Sequence, residues 1–292
     1  MINSPSALKS VFLASRPKTW IAGISPVVIG AALAYKDGSL SISLFLYSLL
    51  FSLLVQIGTN FSNDYFDFLK GADNDQRIGP PRAVAMGWIS PKAMHNLSLL
   101  AFAASFAASI PLVLACGLWS LAFVISSIGF GMLYTGGPRP LGYLGLGELF
   151  VLTYFGPVAV LGTYFVQRHT ITLDAIFLSL SPGFIASAIL IANNLRDEKT
   201  DRIAKKNTLV VRFGTYFGQY EYAVCLIAGI LLPNAAGYYS PLFCLALGYI
   251  LVKQAFSDAE KAPLLPKTAL VLAILTFAIV LESCKSAVTA PF

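Results

Sequence analysis

The chain reads as a succession of long apolar runs separated by short polar links. Runs of bilayer length fall at residues 19–35, 42–62, 94–113, 117–135, 144–167, 172–194, 217–234, 239–256 and 267–284. About 20 apolar residues in a helix cross the ~30 Å hydrocarbon layer, so nine transmembrane helices are predicted. They use the whole chain, which makes residues 1–292 one all-α, polytopic membrane domain. Three pairs of runs meet so closely, at Pro111–Gly117, Gln167–Thr172 and Pro233–Ser240, that each reads as a helical hairpin. The first run is expected to be a retained span rather than a cleaved signal, because it is long and leads straight into another.

Composition agrees with a bilayer setting. Hydrophobic residues make up 57% of the chain and charged residues 12%, against about a quarter charged in soluble domains. The net charge of +6 could suggest a nucleic-acid partner, yet the basic residues lie between apolar runs rather than along one polar face, so none is expected. With the N-terminus on the cytoplasmic side, only Lys36, Arg168 and Lys285 of the 20 lysines and arginines fall outside, as the positive-inside rule requires. The absence of a Ser- and Arg-rich leader favours a bacterial inner (cytoplasmic) membrane over a plastid. Cys116, Cys225, Cys244 and Cys284 all lie in apolar stretches without metal-ligand spacing, and are expected to be buried hydrophobes.

The acids are not spread as solvating decoration. Residues 63–92 and 195–216 hold Asp64, Asp67, Asp73, Asp75, Asp197, Glu198 and Asp201, half of the 14 acids in the chain. If the second helix continues through its cluster, Asn60, Asp64 and Asp67 share one face. At the end of the sixth run, Asn193, Asp197 and Asp201 do the same. The two stripes occupy equivalent places on two helices, which suggests an internal repeat.

Ionised carboxylates near a bilayer are costly, about 2.5–3.5 kcal/mol each at its centre. Several facing one cavity also repel one another, so a positive partner is required. Magnesium is commonly held by one or two carboxylates together with substrate phosphate oxygens. Two such stripes could clamp magnesium ions and, through them, a diphosphate. Asp64, Asp67, Asp197 and Asp201 are the candidate catalytic acids, with Asn60 beside them as a metal ligand. Arg77, Arg82, Lys199, Arg202, Lys205 and Lys206 follow the two clusters and could take phosphate oxygens, joined by Asn63, Asp73 and Asn193 on the same segments.

These residues carry a family resemblance. Arg16-Pro17-Lys18-Thr19, Ser25-Pro26, the stretch from Asn63 to Asp73 with Arg77-Ile78-Gly79-Pro80 behind it, Gly142 to Glu148, Asn193-Asn194-Leu195-Arg196-Asp197 and Asn207 to Gly214 occur in order along nearly the whole chain. In this the chain resembles the UbiA superfamily of membrane prenyltransferases, and within it the 1,4-dihydroxy-2-naphthoate branch of menaquinone biosynthesis. The resemblance implies nine helices around a central cavity, with the aspartate motifs facing each other. It implies magnesium at Asn60, Asp64, Asp67, Asp197 and Asp201, a polyprenyl diphosphate donor and an aromatic acceptor. Loss of the acceptor carboxylate as carbon dioxide is implied as well.

Two positions depart from the superfamily pattern. The third acid expected four residues after Asp67 is Gly71 here, the next acid being Asp73, a spacing associated with the naphthoate branch. Lys205 stands where relatives often carry glycine. Tyr134, Arg139 and Glu148 are weaker candidates for contact with acceptor or prenyl chain, a pairing of Glu148 with Arg139 being favoured over acceptor contact. Phe61, Tyr65, Phe66, Tyr134 and Tyr154 could stabilise an allylic cation, although ordinary packing accounts for each. The Gly142–Gly147 run reads as a helix-start turn, because no strand precedes it. His95 and His169 read as interfacial. A cation-coupled transporter is the rival of another class, and a sister enzyme with 4-hydroxybenzoate or chlorophyllide as acceptor is the nearer one. Nothing in the pattern speaks to an oligomeric state.

Overall fold

The computed structural model describes residues 5–73, 78–257 and 260–289, so Asp75 and Arg77 lie outside the described residues. Among the described residues the regular elements are all helices. Its helices are α1 (Ala7–Ala14), α2 (Trp20–Lys36), α3 (Ile42–Leu69), α4 (Pro91–Cys116), α5 (Leu121–Leu133), α6 (Gly147–Thr153), α7 (Ala159–Arg168), α8 (Leu173–Ile203), α9 (Leu209–Phe213), α10 (Thr215–Leu231), α11 (Cys244–Phe256) and α12 (Leu264–Thr289).

Every apolar run of the sequence maps onto a helix, but those helices differ in length. Among the described residues, six helical stretches are long and apolar enough to span by themselves, namely Ala7–Lys36, Ile42–Leu69, Pro91–Cys116, Gly147–Arg168, Leu173–Ile203 and Leu264–Val288. Leu118–Leu133 and Ser240–Phe256 are apolar but shorter, and α10 carries Gln219 and Glu221. By length and composition six spans are supported among the described residues, and α5, α10 and α11 account for the other three apolar runs. In the opposite sense, α3 and α8 have 28 and 31 residues, about 42 and 46 Å of helix. Both outrun the hydrocarbon layer, and their polar ends are where the acidic motifs sit.

The apolar core is built around α8, which packs on α10, α2, α12 and α6. Ile29, Leu178, Ile185, Leu226, Ile230 and Leu272 are fully buried within it. Lipid tails are as apolar as leucine, so tight crossing depends on small residues at the contacts. The α6–α7 arm shows this most clearly. It bends at a π turn over Tyr154–Val158, where Gly156 leaves helical geometry and Pro157 brings no N–H. At that bend Gly156 meets Gly183 of α8, and a Cβ on Gly183 falls 2.4 Å from the Leu152 carbonyl oxygen. Gly183→Val is thus expected to destabilise the fold by about 1–3 kcal/mol or more, read as a lower thermal midpoint in detergent. A variant as stable as the parent contradicts this close approach.

Smaller sequence expectations are met in part. The predicted hairpins turn at Gly117, His169 and Gly237, all with positive φ. Among the cysteines, which are free, Cys225 and Cys244 are buried and Cys116 and Cys284 half-buried. His95 stacks on Tyr65 with ring centres 4.7 Å apart.

Candidate functional site

α3 does run unbroken through its polar cluster, so Asn60, Asp64 and Asp67 fall on one face and are each no more than 4% exposed. Each has defined partners. The Asn60 amide donates to the Ser15 carbonyl at 2.9 Å and to the Thr19 hydroxyl at 3.2 Å. That carbonyl is available because α1 and α2 are separated at Arg16, whose backbone is left-handed before Pro17. Asp64 accepts the backbone N–H groups of Ala83 (3.1 Å) and Val84 (3.3 Å), which folds the loop after Pro81 over the site. The Arg16 guanidinium is in electrostatic reach of Asp64 as well. Asp67 accepts the Tyr143 hydroxyl at 2.9 Å and lies 3.8 Å from Arg82, which also reaches Asp73 at 3.5 Å.

The second stripe has the same logic. Asp197 and Asp201 are buried on α8. Arg196 donates from Nε to Asp197 at 2.7 Å, engages the other carboxylate oxygen through a terminal nitrogen, and donates to Asn193 at 2.7 Å. Lys206 lies 3.8 Å from Asp201.

The two helices also end alike. Gly71 follows α3 at φ +69 and Lys205 follows α8 at φ +56. In each case the next N–H returns 2.9 Å to the carbonyl of the last motif aspartate, Ala72 to Asp67 and Lys206 to Asp201. The two helices share this cap. It also explains both departures from the superfamily pattern. The left-handed turn at Gly71 swings Asp73 back beside Arg82, and Lys205 occupies a conformation that glycine adopts without strain.

The loop between α5 and α6 joins the stripes. Tyr143 gives its hydroxyl to Asp67, has the Lys70 ammonium 4.9 Å and the Lys206 ammonium 5.8 Å from its ring centre, and accepts the Asn207 N–H on its carbonyl at 3.2 Å. Asp67, Asp73 and Asp201 all lie in the electrostatic neighbourhood of its hydroxyl. Burial first, and then Asp67, push the Tyr143 phenol above its ordinary range, so it stays protonated and donates. Gly145 on the same loop is left-handed, and a Cβ there falls 3.1 Å from the Asn207 carbonyl.

Other expected site residues are placed as follows. Asn63 accepts the Thr135 hydroxyl at 2.8 Å, fastening α3 to the end of α5. Lys70 donates to the Thr135 carbonyl. Tyr134 lines the apolar cavity described below. Arg77 lies outside the described residues. Lys199 is exposed, and Arg202 turns to Glu198 at 2.7 Å with a side chain 59% exposed, so neither joins the cluster. The expected pairing of Glu148 with Arg139 is corrected. Glu148 is buried and accepts from Asn194 at 2.8 Å, while Arg139 is exposed, because the α6 start faces α8 rather than the loop.

Sequence reasoning missed Tyr143 and Arg16 as site members. Tyr143 sat inside a run read only as a helix-start turn.

The donor set suits a hard divalent cation. Four buried carboxylates and one amide are gathered from two helices, with Arg16, Arg82, Arg196 and Lys206 interleaved as counter-charges. Among the described residues no group of three or more His, Cys, Asp or Glu side chains is drawn together as a metal cage. Beside the site opens an apolar cavity of about 460 Å³, to which Thr59, Gly131 and Tyr134 contribute the near wall.

Comparison with known proteins places this arrangement. The sequence matches the UbiA prenyltransferase family over residues 24–270. It is 34% identical over 277 residues to the 1,4-dihydroxy-2-naphthoate octaprenyltransferase of Haemophilus influenzae, covering 90% of this chain and 89% of that one. To the enzyme of the same name from Escherichia coli it is 37% identical over 223 residues, 74% of this chain and 72% of the other. The fold is that of a UbiA homolog from Archaeoglobus fulgidus solved bound to DMAPP and Mg2+. That structure has a TM-score of 0.65 and 16% identity, with 93% of this chain and 99% of that one covered. A UbiA homolog from Aeropyrum pernix K1 agrees at a TM-score of 0.68 and 14% identity, over 91% and 98% of the two chains. The chain is a member of the UbiA prenyltransferase family.

Proposed function

We propose that the protein transfers a polyprenyl group from its diphosphate to 1,4-dihydroxy-2-naphthoate, releasing diphosphate and carbon dioxide and forming demethylmenaquinol. The observation that carries this reading is the approach of Asp67 and Asp201 from the two buried stripes to Tyr143, with an apolar cavity beyond Thr59 and Tyr134. The naphthoate acceptor is supported by the relatives that bear that activity in their names.

In this reading Asp64, Asp67, Asp197 and Asp201, with Asn60, hold magnesium. When bound, the metal supplies positive charge that stabilises the departing diphosphate. Arg16, Arg82, Arg196 and Lys206 are already beside these acids and turn toward the phosphate oxygens, with bidentate geometry available to the arginines. The allylic C–O bond breaks with its electron pair going to the leaving oxygen. The electron-rich naphthoate ring then attacks the allylic carbon, and its carboxylate departs as carbon dioxide as aromaticity is restored. Thr59, Tyr134 and the cavity beyond keep water from the cation. The N-terminus and both motifs face the cytoplasm, in a bacterial inner membrane.

The assay is a competition. Purified protein is given magnesium, a polyprenyl diphosphate, and equal amounts of dihydroxynaphthoate and 4-hydroxybenzoate, with products resolved by mass. Demethylmenaquinol is expected to dominate. Prenylated hydroxybenzoate in excess supports the sister enzyme instead, and no prenylated product from either acceptor ends the proposal.

A further inference from the structure

The apolar cavity runs from Thr59 and Tyr134, next to the carboxylates, to Trp119 and Ile171 at the other end of α5 and α7. α5 alone has 13 residues, about 20 Å of helix, so the path crosses about two-thirds of a ~30 Å hydrocarbon layer. Aromatic contacts link the α5 segment and the α6–α7 arm at two places along it. Near the carboxylates Phe130 meets Phe150 and Tyr154, with ring centres 4.5 and 5.1 Å apart. At the far end Trp119 stands edge-on to Phe165 at 5.4 Å. Between these bridges Gly162 lines the cavity, and a Cβ placed on it meets no atom within 4 Å.

We propose that Gly162 and the Trp119–Phe165 pair set which isoprenoid length the protein accepts, favouring a long donor. The inference rests on the polyprenyl-diphosphate reading above and specifies the donor of that same site. Its physical basis is that affinity for an apolar tail grows with each methylene withdrawn from water. A path that continues past Gly162 rewards the later isoprene units of a long chain, and the aromatic pair marks where that reward stops. Glycine in mid-helix is otherwise unfavourable, and here no neighbouring atom demands it. The space it leaves is part of the tail's path.

The test uses the full chain in lipid nanodiscs and one competition between geranyl (ten-carbon) and octaprenyl (forty-carbon) diphosphate. Gly162→Ala is expected to keep the parent's long-to-short ratio of kcat/KM. Gly162→Phe is expected to lower that ratio at least about tenfold, equivalent to ~1.4 kcal/mol, while geranyl transfer persists and certifies the fold. An unchanged ratio in Gly162→Phe overturns the inference. Should that variant lose both donors, Trp119→Ala decides: a ratio raised above the parent's supports the inference and an unchanged one overturns it. If the parent transfers neither donor, the donor reading itself fails and this inference falls with it.

Discussion

Asp64→Ala and Asp197→Ala are each expected to lower prenyl transfer by about a thousandfold or more, or ~4 kcal/mol of barrier, while leaving protein that inserts into membranes. Each carboxylate does two things at once. It contributes oxygen to the proposed magnesium site, and it neutralises a buried cation: Arg196 beside Asp197 at 2.7 Å, Arg16 near Asp64. Removing the acid therefore weakens metal binding and leaves a guanidinium poorly compensated. Because such a charge also threatens the fold, Asp197→Asn is the companion variant, keeping volume and removing only the charge. Transfer measured at saturating magnesium, beside a detergent melt of each variant, separates the two effects. Full activity in both alanine variants is incompatible with the proposed chemistry.

Tyr143→Phe is expected to cost about 10–100-fold, the range typical of a residue that orients a metal ligand without binding the metal. The phenylalanine ring preserves the surface beneath Lys70 and Lys206 and removes only the hydroxyl that donates to Asp67. The loss should therefore appear as a higher magnesium requirement and a higher KM for the diphosphate, with the KM for the acceptor unchanged. Tyr143→Ala removes the ring too and is expected to be more severe. A uniform fall in kcat in Tyr143→Phe, with no change in magnesium dependence, points to a merely structural tyrosine.

Much of this was readable from the chain, and the part that was not has definite physical causes. The positions of Asp64, Asp67, Asp197 and Asp201 were legible because three- and four-residue spacing on a helix leaves one geometric outcome. The apolar runs gave the helices in the same way. Helix length was less legible, since a run such as 117–135 is apolar enough for a span, yet Gly117 and the tight turn at Leu118–Ser120 leave α5 with only 13 residues. Glu148 was misassigned because sequence proximity to Arg139 says nothing about which way a helix start faces, and α6 faces Asn194. Tyr143 was invisible for a related reason. Its value comes from a loop closing between two distant helix ends, and no local pattern encodes the meeting.

The bend in the α6–α7 arm has an implication for how such a protein can vary. Tyr154, Phe155, Pro157 and Val158 all border the cavity, so the bend of the main chain helps to shape the hollow. Lineages could swap bulky and slight groups along the wall, retuning which lipid is accepted, while the scaffold that keeps the hollow open stays as it is.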